Sequence, residues 1–179
     1  MGAGNQQERL STIEAKRWFL AGIIEGKGSL CVSIKEHKAS KYGFFVDPEF
    51  YIYQHKKSIS ILKMAKEIFG TGRIYSKPGN EDVMVFAITC RRSLKEKVIP
   101  FLDKYMIFSS KREEIRRFKE IVDAIESKEH LRPEGMIRIV EKAYAMNSAG
   151  KGKKRSKSLK EIVERILRDH TPDTPEKQE

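Results

Sequence analysis

The stretch Leu20-Ala21-Gly22-Ile23-Ile24-Glu25-Gly26-Lys27-Gly28-Ser29-Leu30 constrains the chain most, because a helix must stop there and a strand must begin almost at once. Upstream, Ser11-Thr12-Ile13-Glu14 reads as a capping box in which Glu14 reaches back to the Ser11 amide, so a helix is expected from Ser11 through Glu25. Gly26-Lys27-Gly28 ends it, since glycine adopts turn conformations that side chains resist. Beyond it, Leu30, Val32 and Ile34 alternate with Cys31, Ser33 and Lys35, the period of a half-buried strand. The spacing excludes a phosphate loop: three residues separate Gly22 from Gly26, Lys27 precedes glycine, and the segment closes a helix rather than opening one. Ala21, Gly22 and Gly26 leave a helix face almost bare of side chains. An identical helix related by a two-fold axis is the natural partner for such a face, although an ordinary glycine-terminated core helix satisfies the same packing pattern.

The rest of the pattern builds around that junction. Phe44 to His55 reads as a second strand, with Glu49, Tyr51, Tyr53 and His55 on one face and Phe50 and Ile52 on the other. Pro48 marks it as an edge or a bulge. Ser58 to Phe69 is an amphipathic helix closed by Gly70 and Gly72. Arg73 to Lys77 is a short strand, Pro78-Gly79-Asn80 a turn, and Val83 to Thr89 a central strand apolar on both sides. Ser93 to Tyr105 is a third helix broken or kinked at Pro100. Helices follow over Lys111 to Glu126, Pro133 to Met146 and Ser158 to Leu167. The fold class is α+β: an αββαββα core with a four-stranded antiparallel sheet, plus C-terminal helices. The organisation is a flexible tail over 1–10, the core over 11–130, a C-terminal helical extension with a basic turn over 131–168, and a disordered tail over 169–179.

Charge narrows the function. The 179 residues carry 36 Lys+Arg against 25 Asp+Glu, a formal net charge of +11, and excess positive charge points first to nucleic acid. No run of about 18 apolar residues exists, which excludes a membrane-spanning helix and a membrane partner. The two cysteines cannot build a disulfide framework and the four histidines lack metal-ligand spacing. An intracellular protein of the cytoplasm or nucleoid is expected. The sheet face not covered by helices holds Ser33, Lys35, Tyr51, Tyr53, Arg73, Tyr75 and Lys77, with His37 in the adjoining loop. A twisted ribbon carrying such donors and aromatics fits a DNA major groove; a solvated face is the bland alternative. Lys151-Gly152-Lys153-Lys154-Arg155-Ser156-Lys157 has five basic residues in seven. Between two helices it suits a clamp on the DNA backbone, a solvated charge run or localisation signal being the alternative.

The segment from Leu20 to Gly28 resembles the defining motif of the LAGLIDADG homing endonucleases, most closely over Leu20-Ala21-Gly22, Gly26 and Gly28. The αββαββα order resembles that family's core. Ile107-Phe108-Ser109-Ser110-Lys111-Arg112 resembles its lysine-containing stretch after the third helix, and Met146-Asn147 through Arg155 its Gly-Lys-rich turn before the last helix. The resemblance spans residues 11 to 168. A single motif copy implies a homodimer with Ala21, Gly22 and Gly26 at the interface, and the charged composition resembles archaeal intron-encoded members. The resemblance further implies cleavage of both strands of a long pseudo-palindromic DNA duplex. Divalent ions, usually Mg²⁺, would sit at the base of the paired motif helices.

By the same resemblance the metal ligands are the acidic residue at the eighth motif position and the preceding backbone carbonyl. Here those places are Lys27 and Gly26. An ammonium cannot ligate Mg²⁺ and repels it, so cleavage is expected to be impaired and metal binding weakened. Gln54 matches a polar residue that positions water, and Lys111 a basic residue that assists the phosphate; both also read as ordinary surface residues. Two rival readings are an RNA maturase that assists intron splicing and a non-catalytic DNA-binding regulator.

Overall fold

The computed structural model describes residues 3–147 and 155–168, with side chains over 12–146 and 155–168. The order is α1 (Ala3–Lys27), β1 (Gly28–Glu36), β2 (Phe44–His55), α2 (Ile59–Phe69), β3 (Arg73–Lys77), β4 (Asn80–Ile88), α3 (Arg91–Ser93), α4 (Ile99–Tyr105), α5 (Arg112–Glu126), α6 (Pro133–Asn147) and α7 (Leu159–Arg168). The four strands form one antiparallel sheet in the order β1-β2-β4-β3. This is the α+β architecture that the hydrophobic periodicity implied.

One face of the sheet is packed and the other open. Leu30, Val32, Phe50, Ile52, Phe86 and Ile88 join a single buried cluster with Leu20 and Ile24 of α1, Leu62 and Phe69 of α2, and Phe101 of α4. Phe69 sits at its centre, with its ring 5.6 Å from Phe50, 6.0 Å from Phe86 and 5.1 Å from Phe101. Rings at these separations add edge and stacking attraction to the burial of apolar area. Met136, Ile139 and Val140 of α6 and Ile162 and Ile166 of α7 belong to the same cluster.

Several boundaries differ from the sequence expectation, each for a local reason. The helix does not start at Ser11: residues 3–10, expected as a tail, are helical. Asn5 to Leu10 contains no breaker and several strong helix formers, so nothing stops the helix from extending past a cap signal. β4 begins at Asn80 rather than Val83, because Gly79 (φ 77°) closes a tight turn that pairs Lys77 with Asn80 directly. Pro48 pairs with Val32 of β1 but lies beyond the end of β4, whose last partner on β2 is Phe50. Its missing N–H therefore faces an unpaired edge. Before Pro100 the helix widens into a π turn over Leu94–Val98, accommodating a residue that cannot donate to the preceding turn. The 169–179 tail lies outside the described residues.

The junction between α1 and β1 is sterically exact. A Cβ on Gly28 would lie 2.6 Å from the Ile24 carbonyl oxygen and 2.7 Å from Ile24 Cγ2. Backbone cannot yield as a flexible side chain would, so Gly28→Ala should cost about 1–3 kcal/mol, read as a lower urea midpoint with an unchanged slope.

Candidate nucleic-acid interface

Directly opposed residues of antiparallel strands share a face, so the register defines the open surface. It carries Ser29, Cys31, Ser33 and Lys35 of β1, Phe45, Asp47, Glu49, Tyr51 and Tyr53 of β2, Val85 and Ala87 of β4, and Arg73 and Tyr75 of β3. Val85 and Ala87 lie on this face yet are only 2% and 1% exposed; the neighbouring side chains roof them over. The Tyr51 and Tyr53 rings lie 6.0 Å apart, Arg73 stands over Tyr75 at 5.5 Å, and Lys77 over Tyr53 at 5.8 Å. The cations thus extend from an aromatic platform, an arrangement cation–π attraction favours. Burial and the Glu49 carboxylate push the Tyr51 phenol well above its ordinary range, and burial raises Tyr53. Both therefore stay neutral hydroxyls.

Sequence reasoning selected donors on this face and passed over its acids. Ser33 Oγ donates to Glu49 Oε2 at 2.9 Å, and Lys35 Nζ donates to Asp47 Oδ2 at 2.9 Å while lying 3.7 Å from Glu49 Oε1. The Asp47 hydrogen bond, set against partial burial, holds the Lys35 ammonium above its usual pKa. Alternation along β2 puts Glu49 on this face and, two residues earlier, Asp47 as well; a search for basic donors passes over both as contacts. His37 is exposed in the β1–β2 loop, with Nδ1 3.1 Å from Ser40 Oγ.

The C-terminal basic turn divides. Lys151, Lys153 and Lys154 lie outside the described residues. Arg155, expected on the DNA backbone, is turned inward: Nη2 donates to the carbonyls of Val32 at 2.9 Å and Ala143 at 3.0 Å, and the guanidinium sits 4.6 Å from the Tyr144 ring centroid. Its planar fork spans two elements at once, tying α6 to the edge of β1. Nearby, Ser158 and Glu161 form a reciprocal cap on α7.

The foot of α1 forms a second centre. Gly22 and Gly26 are exposed, and a Cβ on either would meet nothing within 4 Å. Ala21, expected with them at an interface, is only 5% exposed and belongs to the chain's own core. Trp18 and Phe19 flank the glycines at 46% and 53% exposure, and Phe108 stands 94% exposed. Lys27 is exposed in the last turn, where a cation is favoured by the helix dipole.

Glu25 is engaged elsewhere. It accepts from Ser109 Oγ, from the Ser110 amide at 3.1 Å and from Ser110 Oγ at 2.5 Å. That carboxylate fixes the loop carrying Lys111, whose Nζ donates to the carbonyls of Ile24 at 3.2 Å and Gly28 at 2.5 Å. Lys111 therefore caps the helix foot and brings an ammonium to the carbonyls of Ile24 and Gly28. Half-buried Glu114, one turn further along α5, has its carboxyl raised by burial, with Lys111 pulling the other way. Gln54 is half-buried on β2, two residues beyond Ile52, the partner of Gly28, and so lies at the level of this foot. Among the described residues no group of three or more His, Cys, Asp or Glu side chains could hold a metal ion. With Glu25 committed to the serines and a lysine at position 27, the donors here do not fit a divalent cation.

Known proteins resemble this chain in sequence and in fold. The family model described as LAGLIDADG endonuclease matches residues 20–122. The chain is 38% identical over 128 residues to DNA endonuclease I-CeuI of Chlamydomonas moewusii, covering 70% of this chain and 59% of that protein's length. It is 34% identical over 159 residues to homing endonuclease I-ApeII of Aeropyrum pernix, covering 88% of this chain and 93% of the relative. The archaeal intron-encoded homing endonuclease I-Vdi141I, solved in complex with DNA, superposes with a TM-score of 0.79 at 32% identity, over 87% of this chain and 97% of that one. No helix among the described residues is long and apolar enough to cross a membrane.

The serine bonds, Ser109 foremost, hold the Glu25 carboxyl below its usual range. A lowered folded-state pKa gives stability that is present above the unfolded value of 4.5 and fades as pH falls through the folded one. Wild type should therefore exceed Glu25→Gln in urea resistance at neutral pH, with the gap closing below about pH 4.5.

Proposed function

This chain belongs to the LAGLIDADG endonuclease family, and from that premise we propose that it is a homodimeric, site-specific double-stranded DNA-binding protein whose cleavage is impaired. The observation that carries the reading is the open sheet face, where Arg73 and Lys77 stand over Tyr75 and Tyr53, Tyr51 lies beside Tyr53, and Lys35 shares the same face. A two-stranded or wider β ribbon enters the major groove, where donors and acceptors on base edges differ for every base pair.

Dimerisation follows from the bare strip on α1. Two copies crossing at Gly22 and Gly26 would bring their backbones together, bury Trp18 and Phe19, and place the two sheets end to end on a long, near-palindromic site. Gly26→Leu should leave the isolated fold intact, since a side chain there meets open space. It should shift the protein from dimer to monomer in sedimentation and abolish binding to the full-length site.

Members of this family are generally dependent on divalent metal. The residues at this helix foot do not fit one. What the foot does offer is charge: two Lys27 ammoniums, one per protomer, facing the central phosphates, with Lys111 held nearby. Such a centre attracts phosphate but supplies no carboxylate to position a metal or take a proton from water. A regulator that keeps the fold without catalysis predicts that Lys27→Glu gains nothing, and a maturase predicts tighter binding of intron RNA than of duplex DNA in gel shifts.

Bound duplexes selected from a random library should share a long pseudo-palindrome and remain uncut with Mg²⁺. Lys27→Glu should cut that site on both strands. It should also be less stable than wild type without metal, by about 0.3–1 kcal/mol for each charge–dipole term, and regain stability with Mg²⁺, while wild type is insensitive. Cutting by wild type refutes the impairment, and an inert Lys27→Glu refutes Lys27 as its cause.

A further inference from the structure

The open face holds one charged pair that is neither a clamp nor a platform. Lys35 and Asp47 touch at 2.9 Å, with their side chains 56% and 21% exposed. Behind them Glu49, only 13% exposed, accepts from Ser33 and lies within 3.7 Å of the same ammonium. A carboxylate facing a polyanion is unfavourable unless it meets a donor. Of the base edges in the major groove, only cytosine N4 and adenine N6 offer one.

We propose that Asp47 and Lys35 act as a composite reader of a single C·G pair in each half-site, an inference that rests on the DNA-binding reading above. Asp47 accepts from cytosine N4–H, and Lys35 donates to guanine O6 and N7 of the same pair.

The geometry is that of two matched N···O pairs. Cytosine N4 and guanine O6 are hydrogen-bonded to each other, hence about 2.9 Å apart, the same separation as Lys35 Nζ and Asp47 Oδ2. Laid edge to edge, each charged atom meets its complement. The flanking groups decide the base. Beside cytosine N4 lies a C–H that a carboxylate tolerates, and beside guanine O6 lies N7, a second acceptor for the ammonium. An A·T pair puts adenine N7, an acceptor, against Asp47 and the thymine methyl against Lys35. A reversed G·C pair sets acceptor against carboxylate. Glu49 is the positioning residue: held by Ser33, it fixes the Lys35 ammonium between two strands so that the pair is ordered before DNA arrives.

The test is selection of bound sequences from a random duplex library by the full chain, comparing wild type with the near-isosteric Asp47→Asn and with Lys35→Met. Thermal melts confirm that each variant is folded. Wild type should show one C·G position in each half-site whose preference falls by about 5- to 150-fold in either variant, the range for one good base contact, while all other positions keep theirs. Asp47→Asn should gain adenine there, because a carboxamide can pair with N6 and N7. A wild-type site with no C·G preference changed by the variants, or an even loss across all positions, overturns the reader while leaving DNA binding intact. Failure of wild type to select any duplex overturns the DNA-binding reading itself.

Discussion

Everything in this molecule hangs on how closely the first strand turns back from the first helix. Gly28 sits where a methyl group would strike the Ile24 carbonyl, so the strand leaves the helix without an intervening loop. The two carbonyls exposed by that abrupt stop, Ile24 and Gly28, are taken by the Lys111 ammonium. The lysine is delivered by a loop that Glu25 holds through Ser109 and Ser110. A helix end normally leaves carbonyls for water or a glycine cap. Here a side chain from α5's leading residues does that work, which welds α1, β1 and the start of α5 into one unit. The register of the whole sheet then follows, because β1 begins at a fixed point and β2 pairs with it from Gly28↔Ile52 onward.

What the sequence made legible was periodic or steric. Alternation in Leu30–Lys35 and Phe44–His55 identified both strands and their faces, and Pro78-Gly79 marked the hairpin. What it could not show was where long side chains finish. Ser11-x-x-Glu14 and Ser158-x-x-Glu161 are the same signal, yet only the second is a helix start. The difference is upstream: Asn5 to Leu10 can continue a helix, whereas α7 begins at Leu159, directly after Ser158. Arg155 sits in a basic run and reads as solvent-facing, but the carbonyls of Val32 and Ala143 lie within reach of its fork. Ala21 belongs to the motif's small residues but falls on the buried side of the helix, while Gly22 and Gly26 fall on the open side.

The formal charge of +11 is spent unevenly. Some cations are already paired within the fold: Arg165 and Lys157 share Glu36, Lys142 and Arg116 share Glu120, and Lys119 pairs with Asp103. These pairs sit on the helical side and edge and add little to attraction for a polyanion. Arg73 and Lys77 stand over tyrosine rings on the sheet, so these two cations face outward on the side left open. Within that face the Lys35–Asp47 pair is locally neutral, and a neutral pair contributes discrimination rather than raw affinity.

Lys27 shows the tension between stability and catalysis at one residue. The C-terminal end of α1 carries the negative pole of its dipole and the exposed carbonyls, a place where a cation is stabilising and a carboxylate is not. A catalytic acid there works against the helix until a divalent ion offsets it. Lysine resolves that conflict in favour of the metal-free fold, and it does so without disturbing Glu25, Lys111 or the glycine turn, none of which touches its side chain among the described contacts. On the proposed reading the recognition surface is the sheet and the reaction centre is the helix foot. The two are joined by the stiff α1–β1 turn but are chemically independent. On that reading a lysine at position 27 silences cutting while leaving the reading of DNA in place.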